Sequence, residues 1–264
     1  MSTHPTHEDP LPASEVPGAE LSGKVALVTG GARNIGRSIS LALAAGGAAV
    51  AVNTRASRED AESLVQQIEA RGGRAAAFLA DISDGAATSA MVNAILQRFG
   101  RLDILVLNAS VRHETPFLEM KYEEWRRIMA TTLDGAFYCT QACLPSMLAA
   151  GGGSIVTLGG LTALSGAKRR VHGSVAKGGL VAFTRAIARE FAEQGVRANC
   201  VVPGQIATER AAHRTARVDP KGLIPIGRAG QPEEIASTVR FLCGSGAGFV
   251  TGQTVHVNGG QLMT

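Results

Sequence analysis

Cysteine is scarce in this chain. Four residues among 264 are cysteines, and they lack paired CxxC spacing. So few thiols exclude a small secreted scaffold held by disulfides and favour reduced cysteines in a cytoplasmic protein. We expect no metal ligands among them. They are Cys139, Cys143, Cys200 and Cys243.

Long apolar runs and strong charge excess are also lacking. No stretch holds eighteen consecutive apolar residues, and the start of the chain lacks a basic segment followed by an apolar one. We therefore expect neither a membrane span nor a signal peptide. The formal charge of +4 is mild for this length and predicts no nucleic-acid partner.

The residues that are present indicate an enzyme-like globular core. Hydrophobic residues make up 45% of the chain and charged residues only 18%. Residues 1–20 are rich in Pro, Ser, Thr and acids without periodicity, which predicts a disordered tail. Residues 21–264 have a length typical of one large domain.

Apolar runs alternate with longer amphipathic segments from Lys24 onward. This alternation predicts βαβ units, a parallel sheet buried on both faces, and a ligand site at the carboxyl edge of the strands. The runs 24–29 and 48–53 bracket a helical pattern over 35–45, and the later strands are expected near 75–80, 104–108, 154–158, 198–202 and 254–257.

A glycine-rich segment connects the first strand to the first helix. Glycines at such a junction let the backbone approach a pyrophosphate that lies on the helix N-terminus. The segment runs from Thr29 to Gly36, and its expected cofactor-binding residues are Gly30, Arg33, Asn34, Ile35 and Gly36. Asn34 occupies a position where glycine is usual, and asparagine tolerates left-handed backbone well.

Five segments in order make the chain from Leu21 to Thr264 resemble the short-chain dehydrogenase/reductase family. They are the glycine turn, Asp81, Asn108-Ala109, Lys177, and the segment from Pro203 to Thr208. The resemblance implies a doubly wound α/β fold of the Rossmann type, with about seven parallel strands flanked by helices on both faces. It also implies an oxidoreductase that uses a nicotinamide cofactor.

The resemblance assigns further cofactor contacts. Asp81, followed by Ile82, would meet the adenine ring, and Asn108 with Ala109 would support the adenosine side. Lys177 would hold the nicotinamide ribose. The nicotinamide amide would lie against Pro203, Gly204, Ile206 and Thr208.

Cofactor preference depends on the end of the second strand, where an aspartate would bind the ribose diol of NAD and repel a 2′-phosphate. This chain has Asn53, Thr54 and Arg55 there. Arg33 and Arg55 could instead donate charge-assisted hydrogen bonds to a phosphate, although both also fit solvated surface arginines. We expect NADP(H) to be favoured over NAD(H).

The chemical half of the site departs from the family pattern. The resemblance implies a tyrosine four residues before Lys177, but Gly173 stands there. Gly160 takes the place of the family's serine, and Thr132 replaces its asparagine. The remaining candidates for a proton donor are His172, which we favour, then His113, and Lys177 itself. Tyr138 is expected to pack within its helix face instead.

Basic residues flank the expected cleft at 112–113, 168–170 and 172. They favour a small anionic substrate, although a solvated loop of charges explains them equally well. Residues 206–227 would form a lid over the substrate. The family resemblance implies a homo-oligomer, a dimer or a tetramer, paired through long helices near 123–149 and 174–194.

Two classes of function therefore stay open. One is an NADP(H)-dependent oxidoreductase for a carbonyl or alcohol substrate, with an atypical proton donor. The other is a non-redox protein on the same scaffold: a lyase, isomerase or cyclase, or a catalytically silent nucleotide-binding protein. Retention of Lys177 and the Pro203-Gly204 turn favours the first, and the vacant hydroxyl positions at Gly160 and Gly173 favour the second.

Overall fold

Seven parallel strands form one sheet in a computed structural model that describes residues 18–208 and 223–263. The strand order is β3-β2-β1-β4-β5-β6-β7. The strands are β1 (Val25–Val28), β2 (Ala49–Thr54), β3 (Arg74–Leu79), β4 (Ile104–Leu107), β5 (Gly153–Leu158), β6 (Val196–Pro203) and β7 (Thr254–Val257). This order and the helices on both faces define a Rossmann-type α/β fold and confirm the predicted fold class.

Helices connect the strands. They are α1 (Asn34–Ala45), α2 (Arg58–Glu69), α3 (Gly85–Phe99), α4 (Tyr122–Met129), α5 (Gly135–Ala149), α6 (Thr162–Ser165), α7 (Val171–Phe191) and α8 (Pro232–Cys243). The three helical segments predicted with bounds correspond to α1, to α4 with α5, and to α7. Short 3₁₀ turns cover Phe117–Glu119, Ala192–Gln194 and Ser245–Ala247. No helix in the described ranges is long and apolar enough to cross a membrane.

The sheet is covered on both faces because its central strands are mostly apolar. Every residue of β1, β2 and β4 is buried. One core cluster joins the sheet to α1, α2 and α8, through residues such as Leu43, Leu64 and Leu242. The other joins it to α3, α5 and α7, through Ile95, Met147 and Leu180 among others.

A wide π-helical turn, Ala130–Asp134, links α4 and α5 into one long helix. Turns of this kind are rare in proteins as a whole. Those that occur are often found at functional sites, because the extra residue redirects a side chain. Here the turn contains Thr132, which is 3% exposed.

The folded part begins slightly before the predicted boundary at residue 21. Glu20 accepts hydrogen bonds from Arg240 at 2.5 and 2.9 Å, and Leu21 is buried. The earlier residues of the predicted tail, 1–17, lie outside the described residues, and so do positions 209–222 of the predicted lid.

Candidate active site

The sheet order reverses between β1 and β4, which places their carboxyl ends side by side at one edge of the sheet. A ligand crevice is expected at this position of an open α/β sheet. Val28 of β1 lies in register with Val106 of β4. The glycine turn and Asn108 follow these two strands, so the topology brings together two segments that are far apart in the sequence.

The glycine turn is compact enough that two of its glycines exclude any larger residue. A Cβ on Gly36 would lie 2.2 Å from the carbonyl oxygen of Gly30. Gly30 has a φ of +59°, and Asn34 has a φ of +50°, which agrees with the expected tolerance of asparagine for left-handed backbone. The turn delivers the N-terminus of α1 to the crevice, where its free N–H groups suit a phosphate.

Asn108 holds this turn in place. Its side-chain amide donates hydrogen bonds to the carbonyl oxygens of Thr29 and Gly30, both at 3.0 Å. The hydroxyl of Thr29 accepts from the backbone N–H groups of Asn108 and Ala109 at 3.0 and 3.1 Å. Asn108 and Ala109 therefore fix the glycine turn.

Asn53 is a correction to the expected cofactor contacts. Its side chain is buried, and its Oδ1 accepts from the backbone N–H of Gly30 at 3.3 Å. Its amide donates to the carbonyl oxygens of Phe78 and Ala80 at 3.3 and 3.1 Å. These bonds use the whole amide group, so Asn53 supports the turn from below and presents no side chain to a ribose.

The two arginines expected near the adenosine end are exposed and form ion pairs. Arg33 Nε donates to Asp60 at 2.5 Å, and Arg55 lies 3.8 Å from the carboxylate of Asp81. Burial raises the pKa of Asp81, but hydrogen bonds from Ser83 outweigh it and leave the pKa below its usual value. Such exposed pairs contribute little stability, so a bound phosphate could replace them.

The other residues expected at this end lie on the same edge of the sheet. The hydroxyl of Thr54, at the end of β2, accepts a hydrogen bond from the backbone N–H of Ser57 at 3.3 Å. Ile82 is buried beneath Gly135, where a Cβ would lie 2.8 Å from the Ile82 side chain. Thr54 and Ile82 therefore shape the edge, and Arg33 and Arg55 supply its positive charge.

A cavity of about 600 Å³ opens beside the turn, within the size range of small-molecule sites. Segments after four strands and the start of α7 line it. Of the residues expected at the site, the cavity is lined by Ile35, Asn108, His113, Thr132, Gly160, Gly173, Lys177, Pro203, Gly204, Ile206 and Thr208. The structure therefore brings together most of the predicted nicotinamide half.

Lys177 lies on the cavity wall and is held by the end of β5. Its Nζ donates to the carbonyl oxygen of Leu158 at 2.5 Å. Burial lowers the pKa of Lys177 to about 8, because the desolvated ammonium is disfavoured. A Cβ on Gly160 would lie 3.3 Å from Cγ of Lys177, so this glycine packs over the lysine side chain.

Open space surrounds Gly173. A Cβ built on it would have no heavy atom within 4 Å. The chain has two tyrosines, Tyr122 and Tyr138, and neither lines the cavity. The ring of Tyr138 packs instead against Gly85 and against the ring of Phe137, as expected for a packing role.

The hydroxyl of Thr132 is buried and has no hydrogen-bond partner among the described residues. A buried polar group without a partner is costly, so a native protein retains one mainly where a ligand or water uses it. Thr132 lines the cavity, which makes it a polar anchor inside the site.

His172, our favoured donor, is placed elsewhere. It is 1% exposed at the side chain and does not belong to the cavity wall. Its Nε2 lies 2.8 Å from Oε1 of Glu124, and its Nδ1 accepts from the backbone N–H of Gly173 at 2.7 Å. Both ring nitrogens are used, so His172 is not positioned to protonate a ligand in the cavity.

His113 has the opposite surroundings. It lines the cavity and its side chain is 50% exposed. Its Nδ1 lies 2.8 Å from the same Oε1 of Glu124. The carboxylate of Glu124 therefore joins a buried imidazole and a cavity imidazole that the sequence alone did not connect.

The ligand atoms of His113, Glu124 and His172 lie within 4.8 Å of one another, which is close enough for a metal ion. The hydrogen on His172 argues against that use. Nδ1 of His172 accepts a hydrogen bond from Gly173, so the neutral ring carries its proton on Nε2, the nitrogen that faces Glu124. A histidine that binds a metal normally has the reverse pattern: the nitrogen that faces the metal carries no proton, and the other nitrogen donates a hydrogen bond. The prediction that metal ligands are absent stays a prediction.

The expected basic rim is smaller than the sequence suggested and is partly neutralised. Among its six members, only Arg112, His113 and Arg170 line the cavity. Arg112 pairs with Glu114 at 2.8 Å, and this hydrogen bond lowers the pKa of Glu114 despite its burial. Positive charge still exceeds negative charge at the mouth, because Arg170 and Lys177 share the wall.

Sequence reasoning missed Glu124 and Thr115, and also Gln205 and Gln261 on the cavity wall. Glu124 lies in the first turn of α4, where an acidic residue is ordinary for reasons of helix stability. Only the fold shows that its carboxylate faces two histidines, 11 and 48 residues away in the chain.

The cysteines are buried, as expected for packing residues. Burial raises the pKa of Cys139 to about 12 and raises that of Cys143 well above its usual value. A thiol with so high a pKa is a poor nucleophile. We therefore assign these two cysteines no role in the site.

Comparisons with known proteins agree with this geometry. A family model described as "Enoyl-(Acyl carrier protein) reductase" matches residues 30–261. The chain is 39% identical over 244 residues to a 3-oxoacyl-[acyl-carrier-protein] reductase of Synechocystis, covering 92% of this chain and 98% of that protein. It is 37% identical over 243 residues to the Escherichia coli enzyme of the same description, covering 91% and 98%.

A solved structure from Sinorhizobium meliloti, described as a "putative short-chain alcohol dehydrogenase", superposes with a TM-score of 0.88. The two chains are 37% identical, and the match covers 93% of this chain and 98% of the other. The protein therefore belongs to the short-chain dehydrogenase/reductase family, as the sequence motifs indicate.

The residues present fit a dinucleotide cofactor. The turn at Gly30 and Gly36 leaves little room for a Cβ, so a cofactor can approach its backbone closely. The N-terminus of α1 supplies free N–H groups. The hydroxyl of Thr132, a residue of the cavity wall, has no hydrogen-bond partner among the described residues. A bound nicotinamide dinucleotide supplies hydride chemistry. Lys177, Pro203, Gly204 and Thr208 are the residues in place to hold its nicotinamide half.

Proposed function

We propose that this protein is an NADP(H)-dependent oxidoreductase that reduces the carbonyl group of a small anionic substrate, with a proton donor other than tyrosine. The observation that carries the proposal is Lys177, which shares one cavity with the Pro203-Gly204 turn and with Gly173. A silent scaffold would have no need for a partly buried lysine at that position, because burying its charge is costly.

The names of the relatives support reduction of a carbonyl. Two relatives over nearly the full length are 3-oxoacyl-[acyl-carrier-protein] reductases. The positive charge at the cavity mouth supports an anionic substrate, and a thioester carried on a phosphopantetheine arm is one substrate of that chemistry.

The preference for NADP(H) is supported by charge at the end of β2. Arg33 and Arg55 lie on that edge, and β2 ends in Asn53 and Thr54 instead of a carboxylate. A 2′-phosphate would meet two cations there and no fixed anion from the strand itself.

A homo-oligomer is supported by apolar residues on the two long helices. Phe137 and Leu148 on α5 are 48% and 38% exposed, and Val175 on α7 is 46% exposed. Burying such residues against a second copy would stabilise a dimer or tetramer. Light scattering of the purified protein measures this directly, and a monomer at micromolar concentration would contradict it.

Turnover tests the proposed function. Purified protein is incubated with NADPH and three carbonyl compounds: a 3-oxoacyl thioester of coenzyme A, a small keto acid and an uncharged ketone. We expect oxidation of NADPH with an anionic compound, and a loss of at least about 100-fold in Lys177→Met. Equal turnover of the uncharged ketone would contradict the anionic substrate.

The non-redox alternative rests on Gly160 and Gly173, which bring no hydroxyl to the cavity. A lyase, isomerase or cyclase would bind the dinucleotide without consuming it. Tight NADPH binding combined with no oxidation across the whole panel, and none of the reverse reaction with NADP⁺ and the matching alcohols, would favour this alternative.

A further inference from the structure

We propose that His113 is the proton donor of this site and that Glu124 and His172 position it. The inference rests on the proposed function, since a proton donor matters only if a carbonyl is reduced. His113 is proposed in place of His172, the donor that the sequence favours, because both ring nitrogens of His172 are occupied inside the protein.

The geometry of His113 leaves one ring nitrogen available. Nδ1 lies 2.8 Å from Oε1 of Glu124 and 3.0 Å from the hydroxyl of Thr115. Since a carboxylate can only accept hydrogen bonds, Nδ1 carries a proton and donates a hydrogen bond to Glu124. Nε2 has no partner among residues 18–208 and 223–263, and His113 lines the cavity.

Glu124 is held firmly enough to aim an imidazole. Its side chain is 15% exposed, and the hydroxyl of Thr115 lies 2.8 and 3.1 Å from its two oxygens. Burial raises its pKa, but hydrogen bonds from Thr115, His172 and His113 outweigh burial and bring the pKa to about 2. Glu124 is therefore an anion throughout the pH range of activity.

His172 supports the Glu124–His113 pair from the buried side of Glu124. The N–H of Gly173 donates to its Nδ1, which fixes the tautomer that carries a proton on Nε2, and Nε2 donates to Glu124. A buried imidazole with a single allowed tautomer orients the carboxylate, and the carboxylate orients His113. A histidine aimed by a buried carboxylate is an established arrangement in unrelated enzymes.

The chemistry balances without a tyrosine. Reduction of a carbonyl to an alcohol takes up a hydride at carbon, from the reduced nicotinamide of the proposed cofactor, and a proton at oxygen. Nε2 of protonated His113 gives that proton to the oxygen, and its ring is left neutral. Because half of the His113 side chain is exposed, solvent returns the proton before the next cycle.

Other charged groups surround His113. Glu124 on α4 and His172 on α7 face it directly. Arg112 and Glu114 flank it in the chain, and Arg170 lies on the same cavity wall. Arg112 and Glu114 are paired with each other, so Glu124 is the anion in direct contact with the ring.

Kinetics of matched variants test the proposal on the intact protein. We expect His113→Gln to lower kcat for carbonyl reduction by about 10²- to 10⁴-fold and to leave the Kd for NADPH unchanged. Glu124→Gln should lower kcat by about tenfold and leave the KM for the carbonyl compound and the Kd for NADPH unchanged, because the neutral amide no longer orients His113 as the carboxylate does. Glu123→Gln, an exposed neighbour on α4, is the control and should match the wild type.

A second measurement needs no turnover. The imidazole resonances of the cofactor-free protein are recorded by NMR, with His113→Gln used to assign those of His113. The Nδ1 resonance of His113 should shift in Glu124→Gln, which removes its anionic hydrogen-bond acceptor, and stay in place in Glu123→Gln. Unchanged resonances in Glu124→Gln would show that Glu124 does not act on His113 and would overturn the proposal.

The two measurements separate this inference from the proposed function. Wild-type turnover that persists in His113→Gln overturns the inference and leaves the reductase intact. Absence of wild-type turnover with any carbonyl compound counts against the reductase and, with it, against His113 as a proton donor.

Discussion

Arg33 donates a hydrogen bond from Nε to the carboxylate of Asp60 at 2.5 Å, at the edge of the sheet where a cofactor phosphate is expected. Both side chains are exposed, at 65% and 40%. The pair is therefore weak. It holds the guanidinium close to the end of β2 and leaves it able to bind a phosphate instead. The position of Arg33 links the glycine turn to the second βα junction.

This pairing predicts opposite effects of two substitutions on cofactor affinity. Arg33→Ala should weaken NADPH binding by about 10- to 100-fold, since a charge-assisted hydrogen bond contributes about 1.5–3 kcal/mol, and should barely change NADH binding. Asp60→Asn should strengthen NADPH binding a few-fold by releasing the guanidinium. Calorimetric titration measures both, with Arg58→Ala on α2 as a control. Equal losses for the two cofactors in Arg33→Ala would remove this residue from phosphate recognition.

Two glycines in helices should respond oppositely to alanine. Gly178 in α7 has no heavy atom within 4 Å of a built Cβ, so Gly178→Ala should stabilise the protein by about 0.5–1 kcal/mol through helix propensity. In Gly36→Ala the new Cβ would meet the Gly30 carbonyl oxygen, and the turn would have to open. We expect lost dinucleotide binding and a lower melting temperature there. Normal NADPH affinity in Gly36→Ala would contradict the described turn.

The open space at Gly173 predicts that a tyrosine fits there. Gly173→Tyr places a phenol on the cavity wall that Lys177 shares, so we expect faster carbonyl reduction than in the wild type and an unchanged melting temperature. In the double variant Gly173→Tyr with His113→Gln, the phenol should replace the lost imidazole and restore turnover. Steady-state kinetics of the three proteins provide the test. A double variant as slow as His113→Gln would indicate that His113 acts on more than the proton.

The pKa of Lys177 predicts a pH dependence of stability. Burial lowers it from 10.5 to about 8 in the folded protein. Between these pH values the unfolded chain binds more protons than the folded one, so the contribution of Lys177 to the free energy of unfolding rises as pH increases from 8 to 10.5. The rise is at most about 3 kcal/mol, and less because the side chain is partly exposed.

Urea unfolding of wild type and Lys177→Met across this range measures that contribution. The wild type should gain stability relative to Lys177→Met as pH increases. A constant difference between the two proteins would show that Lys177 keeps an ordinary pKa in the fold.

Asp103 predicts a dependence of the same sign at low pH, where stability also rises as pH increases. Its carboxylate is 2% exposed at the amino end of β4 and accepts from the backbone N–H of Val25 at 3.0 Å and from Arg101 Nε at 2.8 Å. Burial raises its pKa, but these bonds outweigh burial and lower it overall. Its stabilising effect is therefore present above the usual carboxyl pKa and is lost as pH falls below it.

Asp103→Ala should destabilise the protein by about 2–4 kcal/mol at neutral pH, because it leaves a buried N–H without its partner. Glu62→Ala, at an exposed ion pair on α2, is the control and should cost less than about 1 kcal/mol. Unfolding midpoints in urea compare the two. Equal effects would show that burial of Asp103 does not matter.

The fold was predictable because its signals are local and regular. Fully apolar strands such as β1 and β4 can only be buried on both faces, and a glycine turn after the first strand marks the start of α1. The β7 bounds matched the expectation, and α1 began one residue earlier than expected. The π-helical turn at Thr132 had no local signal, since it depends on how α4 and α5 meet the sheet.

The candidate site was predictable only where a single segment carries the information. Lys177 and the Pro203-Gly204 turn are recognisable along the chain and do line the cavity. His172 lies away from the cavity because adjacent residues of a helix point in different directions, so its neighbour Gly173 reaches the cavity and His172 does not. The contact between Glu124 and His113 depends on tertiary packing and left no local pattern.

Calorimetric titration of the folded protein with NADPH, and separately with NADH, tests the central claim most directly. The account predicts tight binding of NADPH and markedly weaker binding of NADH. Failure of both cofactors to bind would contradict an NADP(H)-dependent oxidoreductase.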